Sequence, residues 1–329
     1  MSTLASTMQA FFTQRLIGQR HASPHTIASY RDTMRLLLTF AEHRLGTRPS
    51  NLALDDIDAE LVTAFLEHLE RDRSNSARTR NNRLAAIHSL FQFAALQHPE
   101  HAATIQRVLA IPPKRFDRAL ITYLTEPEID ALLVAPDQST WAGRRDHALL
   151  LLAATTGLRA SELTGLLTSD VHLGAGAHVS CRGKGRKQRI TPLTKNTAKV
   201  LRAWLTEHDV DESAPLFPAR HGGPVTRDGL ERRLARHVAT ATAGCPSLAT
   251  KQVTMHVLRH TAAMRLLHAG VDSTVIALWL GHESVETTQI YVHADLAMKE
   301  RALSRTTSPA GSLRRYRPAD KLLSFLETL

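Results

Sequence analysis

Two arginines, two histidines, a lysine and a tyrosine stand in short settings whose residue types and spacing suit phosphodiester chemistry. They are Arg159 in Gly157-Leu158-Arg159-Ala160-Ser161-Glu162, Lys184 between two glycines, His256 and Arg259 in His256-Val257-Leu258-Arg259-His260, His282 after Leu280-Gly281, and Tyr291 in Tyr291-Val292-His293. Breaking a phosphodiester without a metal needs a nucleophile, an acid for the leaving group, and cations around the phosphoryl oxygens. Arg159 and Arg259 fit the cation role, since each guanidinium can give two parallel hydrogen bonds to non-bridging oxygens. A lone arginine on a helix is more often a solvated surface group. The Thr-Gly-Leu break before Arg159 favours the functional reading, because a helix starting there would add its dipole to an anion site.

His256 and Arg259 lie three apart, so one helix can turn both toward one point. His260 is expected to face elsewhere, as a buried, hydrogen-bonded histidine. A zinc site from His256, His260 and His282 lacks the glutamate of a His-Glu-x-x-His pattern, and two arginines would repel a metal. Neither metal nor cofactor is therefore expected. Lys184, with an ordinary pKa near ~10.4, carries a proton that it can deliver to a leaving 5′ oxygen. It belongs to the run Arg182–Arg189, five cations on an expected hairpin tip, of which Arg182, Arg186, Lys187 and Arg189 are read as DNA contacts. Tyr291 has the matching problem: a free phenol at pKa ~10 is ionised to about one part in a thousand at neutral pH. Arg159, Arg259 and a histidine are expected to favour its phenolate or accept its proton. Of the other tyrosines, Tyr30 sits in an apolar stripe and Tyr123 in a linker, which leaves Tyr316 in the tail as the rival nucleophile.

The elements that must position these groups are mostly helical. Ser23-Pro24 opens a helix with the stripe Ile27, Tyr30, Met34, Leu37, Leu38, Ala41; Asp58 opens another through Leu61, Phe65 and Leu69; a third runs from Ser76 to Phe93. On that third helix, Arg78, Arg80 and Arg83 are read as DNA contacts. Ile111-Pro112-Pro113 stops the pattern. The expected division is a helical domain over 1–110, a linker over 111–123, a mixed domain over 124–304 and a tail over 305–329. The second domain has a capped helix after Thr125 and a buried helix over Arg144–Thr156. Short β-branched runs follow at 170–173, 178–181 and 188–193, and helix again from Lys195 to near Ser304. The fold class is thus mainly α with a small antiparallel β-sheet. The net charge of +10 points to a polyanionic partner, and 33 of the 41 cations are arginine. Two cysteines in no metal or redox spacing and no signal peptide suggest a cytoplasmic protein. The longest apolar run, Ala148–Leu158, is too short to span a membrane.

With these motifs in order, the chain resembles the tyrosine recombinase (phage integrase) family, and Xer-like members in particular, over about residues 5–300. The resemblance implies an all-helical, SAM-like core-binding domain and an α+β catalytic domain that close on double-stranded DNA, four protomers around two duplexes. It implies that Tyr291 attacks the scissile phosphate, leaving a 3′-phosphotyrosyl link. Arg159 and Arg259 would stabilise the phosphorane, Lys184 would act as acid, His256 as acid/base partner, His282 as phosphate donor, and Glu162 would position Arg159. A terminal helix over Asp320–Leu329 would pass to a neighbouring protomer or pack on its own domain. The alternatives are a type IB topoisomerase-like nicking-closing enzyme and a DNA-binding accessory protein without catalysis.

A basic clamp on phosphate predicts that DNA affinity falls steeply with rising salt, as counterions are released. Fluorescence anisotropy across a salt series measures this, and a flat response would contradict the clamp.

Overall fold

Short polar side chains fix the helix starts in the N-terminal half by taking up backbone N–H groups left free in each first turn. Helix α1 (Thr3–Ala10) continues into a π-helical stretch, Phe11–Gln19. Ser23 caps α2 (Pro24–Leu45), accepting from the Thr26 N–H, with Pro24 in the first turn. Asp58 caps α3 (Ala59–Arg71) through the Leu61 N–H, and Ser76 caps α4 (Ala77–Ala94) through that of Thr79. A shorter α5 (Ala102–Leu109) follows. The apolar stripes meet in one core that includes Met34, Leu37, Ala41, Leu61, Phe65, Leu69, Leu84, Ile87 and Phe91. The computed structural model describes residues 3–116, 121–182, 188–207 and 211–281, with Thr288 and Tyr291, and not the side chain of Arg182. The chain divides into two units, Met1–Ala119 and Leu120–Leu329.

Arg80 corrects the sequence reading. It is buried, and its Nη1 donates to the Pro112 carbonyl and the Asn81 Oδ1, while Asn81 holds the backbone of Lys114. The spacing 80, 84, 87 puts Arg80 on the same helix face as buried Leu84 and Ile87. Its hydrogen bond to Pro112 ties α4 to the segment after α5. Arg78 is exposed, with its guanidinium 5.5 Å from the Phe116 ring centre. Arg83 is half-buried, and burial and then Arg73 lower its pKa.

The second unit contains α6 (Glu126–Val134), α7 (Trp141–Thr156), α8 (Ala160–Thr164), β1 (Val171–His172), β2 (His178–Arg182), β3 (Gln188–Pro192), α9 (Lys195–Glu207), α10 (Arg227–Thr242), α11 (Met255–His268) and α12 (Ser273–Leu280). The strands form an antiparallel sheet in the order β1-β2-β3, with Cys181 paired to Arg189 and Val179 to Thr191. Helix α7 is buried from Ala148 to Ala154, as its unbroken apolar run requires. The expected helical pattern after Lys195 is interrupted at 211–226, where Pro215, Pro218, Gly222-Gly223 and Pro224 cannot continue a helix. That segment is pinned instead: Trp204 Nε1 donates to the Leu216 carbonyl, and buried Arg145 donates to that of Pro218.

Glu128 joins α6 to the turn at 246–251. It accepts from the Thr125 N–H, the Ser247 hydroxyl and Lys251 Nζ at 2.6–2.7 Å. Burial disfavours its charge, but Lys251 and these hydrogen bonds outweigh that and pull its pKa down to about 2. The folded pKa lies below the unfolded one, so this stabilisation is present above the unfolded value and is lost as pH falls through about 4.5 toward 2. Glu128→Gln is therefore expected to lower Tm by a few degrees at pH 7 and by clearly less at pH 3. Equal shifts in calorimetry at both pH values would contradict an ionised Glu128.

Candidate active site

Helix α7 ends at Gly157, whose φ of 66° lets its N–H close on the Ala153 carbonyl. A Cβ there would come 2.7 Å from Leu280 Cδ2 and 3.1 Å from Ala262 Cβ, so only glycine lets this helix end approach α11 and α12. Two helix C-termini thereby meet, and both present carbonyls. Arg259 on α11 gives Nη1 to the Gly157 carbonyl and Nη2 to that of Leu280, each at 2.7 Å. Arg159 gives Nη2 to the Gly281 carbonyl at 2.9 Å, and Trp279 Nε1 donates to that of Thr156. The partial negative charge of a helix C-terminus favours both guanidiniums. Arg259 is 3% exposed. Burial, and next the charge of Arg159, bring its pKa down to about 10, which leaves it protonated at neutral pH.

Arg159 precedes the short helix α8, and its N–H donates to Glu162 Oε2 while its Nη1 donates to Oε1. The same carboxylate receives both Nη groups of Arg189 at 2.7 Å, fork on fork. Burial opposes ionisation of Glu162, but Arg189, the Arg159 N–H and the two cations hold its pKa below the ordinary value. Glu162 thus stands beside Arg159, as the sequence suggested. Arg189 does not stand where it was expected. Its side chain is 12% exposed and turned away from solvent. Strand alternation explains why: Arg189 shares a sheet face with buried Thr191 and pairs with buried Cys181.

His256, His260 and Tyr291 form a second row. The two imidazoles lie 4.2 Å apart between ring centres, and His260 Nδ1 is 3.0 Å from the Tyr291 hydroxyl. The spacing that turns His256 and Arg259 together also stacks residue i+4 on that face, so His260 does not face elsewhere. It was the signal missed. Tyr291 is 1% exposed. Burial raises its pKa, and the opposing pull of Arg259 and Arg159 does not overcome that. The arginines do favour its phenolate, as expected, but burial outweighs them: the phenol rests neutral, and with Nδ1 unprotonated it donates to His260. Burial, then Arg259 and Arg159, lower the pKa of His256, although this ring remains exposed and water screens part of the effect. Lys184, Arg186, Lys187, His282, Tyr316 and the expected terminal helix lie outside the described residues.

The profile of the phage integrase family matches residues 122–298, and that of the phage integrase N-terminal SAM-like domain matches residues 10–98. The protein y4rC of Sinorhizobium fredii, named for integrase/recombinase activity, is 57% identical over 328 residues, covering 100% of this chain and 99% of its own. The tyrosine recombinase XerC of Pelobacter propionicus is 32% identical over 300 residues, covering 90% of this chain and 93% of its own. Two solved structures share the fold. The XerH recombinase bound to a palindromic difH substrate has a TM-score of 0.67 at 23% identity, covering 91% of this chain and 84% of its own. The Tn1549 transposon integrase with right end DNA has 0.68 at 18%, covering 91% and 98%. The two-unit, mainly helical fold with a small sheet is thus shared with solved recombinase and integrase structures. The chain belongs to the phage integrase family and is a site-specific recombinase of the tyrosine type.

Burial, and next the charges of Arg259 and Arg159, predict that the His256 imidazole titrates below the ordinary ~6.5. NMR titration of the histidine ring protons, assigned with His256→Asn, reads this directly. A midpoint at or above the ordinary value would mean that the two arginines do not act on it.

Proposed function

We propose that Tyr291 cleaves and rejoins double-stranded DNA through a 3′-phosphotyrosyl link. The Tyr291 oxygen attacks phosphorus, its proton passes to His260, and the bond from phosphorus to the 5′ oxygen breaks. Lys184 protonates the departing 5′ oxygen. Arg159 and Arg259 stabilise the five-coordinate phosphorane, with His256 and His282 as further donors around it, and Glu162 positions Arg159. Rejoining is the reverse attack by a 5′-hydroxyl from the partner duplex. The phosphodiester energy stays in the tyrosyl ester, so strand exchange needs neither ATP nor a metal.

One observation carries this reading: the hydroxyl of Tyr291 has a histidine nitrogen 3.0 Å away while the charges of Arg259 and Arg159 act on it. The names of the relatives, integrase and recombinase, support strand exchange over simple nicking and closing or a disused site. The DNA-bound states of XerH and the Tn1549 integrase agree with a duplex partner. The working assembly is a homotetramer on two duplexes. The protein acts in the cytoplasm. Both cysteines are free, and among the described residues no helix is long and apolar enough to cross a membrane.

The test uses a suicide duplex nicked beside the recombination site, itself located by sequencing the DNA that the protein retains in cells. The protein should form a denaturant-resistant covalent adduct, and Tyr291→Phe should form none. An adduct with Tyr291→Phe would move the nucleophile elsewhere, with Tyr316 first in line.

A further inference from the structure

Arg189 departs from its expected placement, and its surroundings give it a different task. Glu162 is saturated. Its Oε1 receives Arg159 Nη1 and Arg189 Nη1, and its Oε2 receives the Arg159 N–H and Arg189 Nη2, all at 2.7–2.9 Å. The carboxylate side chain is 3% exposed, so water screens these charges little. If Arg159 were the only cation on Glu162, the pair would be neutral. Arg159 would then bring little net charge to a phosphate, and the carboxylate would repel the anion. Arg189 removes that problem, because its fork matches both carboxylate oxygens and supplies a second positive charge. The cluster of Arg159, Glu162 and Arg189 therefore keeps a net charge of +1, and Arg159 is the more exposed of its cations, 32% against 12%.

Arg189 also abuts the turn that leads to the nucleophile. A Cβ on Gly281 would lie 2.8 Å from Arg189 Nη1 and 3.1 Å from its Cδ, and the Gly281 carbonyl holds Arg159 Nη2. One guanidinium thus touches the carboxylate that aims Arg159 and the residue that precedes His282. It does so from β3, the strand that follows Lys184 in the chain.

We infer that Arg189 is a positioning residue for strand cleavage: it neutralises Glu162 so that the charge of Arg159 is left for the scissile phosphate, and it makes no DNA contact of its own. This rests on the proposed role of Arg159 at the phosphate.

The experiment separates binding from chemistry on the suicide duplex, with anisotropy for affinity and single-turnover adduct formation at saturating protein for the cleavage rate. Arg189→Gln is expected to slow cleavage roughly 10- to 100-fold, within the range of coupled neighbouring charges, while DNA affinity and its salt dependence stay near those of the unchanged protein. The double variant Glu162→Gln/Arg189→Gln should cleave faster than Arg189→Gln alone, because removing the carboxylate frees Arg159 again. A merely structural role would make the double variant the worse of the two. Arg189→Lys keeps the charge and should recover most of the loss; if Arg189→Gln does not fold, this variant and the double variant carry the comparison. Loss of affinity with a reduced salt slope and an unchanged cleavage rate would make Arg189 a phosphate contact and overturn the inference, as would equal loss in the Lys and Gln variants. Absence of an adduct with the unchanged protein would instead remove the proposed reaction. Normal adduct formation with an unimpaired Arg189→Gln would remove only this role.

Discussion

A buried guanidinium must find acceptors, and the second unit is arranged around that need. Arg259 is almost fully enclosed, and a charge so placed without partners is strongly destabilising. Its acceptors are the last carbonyls of two helices, α7 and α12, which a helix leaves unpaired in any case. One contact thus solves two problems, the orphan carbonyls and the buried charge. It also fixes geometry, because the two helix ends can meet only through Gly157, where any side chain would strike Leu280 and Ala262. The Gly281 carbonyl, next in the chain, then receives Arg159. Both arginines and the turn toward the nucleophile are therefore set by the same few backbone oxygens.

The same enclosure decides the state of Tyr291. Two cations nearby pull its phenol toward ionisation, and burial pushes the other way and wins. A phenolate held at rest against Arg159 and Arg259 would occupy the charges that a phosphate needs. A neutral phenol leaves them open, and its proton has to move only when phosphorus is attacked. His260 Nδ1 lies 3.0 Å from the phenol oxygen, and burial, then Arg259 and Arg159, lower the basicity of His256. The row of His256, His260 and Tyr291 places a phenol beside two imidazoles, while in the row of Arg159, Glu162 and Arg189 the carboxylate is shared by two cations.

Much of this was legible in the sequence where the information is local. Ser23, Asp58, Ser76 and Thr125 begin helices because their side chains or turns act within three residues, and the 3.6-residue stripe marks the buried faces. The short settings of Arg159, His256, Arg259 and Tyr291 drew attention, for the same reason, to residues that the fold brings together. What was not legible is which distant group each cation meets. Arg189 sits in a run of five positive residues and reads as a surface contact, yet its partner lies 27 positions earlier on another element. Arg80 reads as one of three basic residues on a helix, yet its partner is a carbonyl 32 positions later. His260 was separable from sequence, since helical stacking with His256 is local, and it was passed over by following the i+3 relation and not the i+4 one.

The choice of acceptors has a consequence for chemistry. The described cluster contains three guanidiniums, Arg159, Arg189 and Arg259, and one carboxylate, Glu162, which leaves a net charge of +2. A carboxylate partner for each buried arginine would have been the more familiar way to stabilise it, and would have cancelled the field at the site. Backbone carbonyls behave differently. They satisfy the N–H groups of Arg259 through dipoles, so the cation is held in place without being neutralised. A five-coordinate phosphorane concentrates negative charge on its oxygens, and it meets a site whose surplus positive charge exists before the DNA arrives. The cost of holding that surplus is visible in Arg259, whose pKa has fallen to about 10, still far enough above neutrality for the charge to persist. The site therefore places neutral acceptors where charge must be kept, and the carboxylate of Glu162 at the point where two arginines share it.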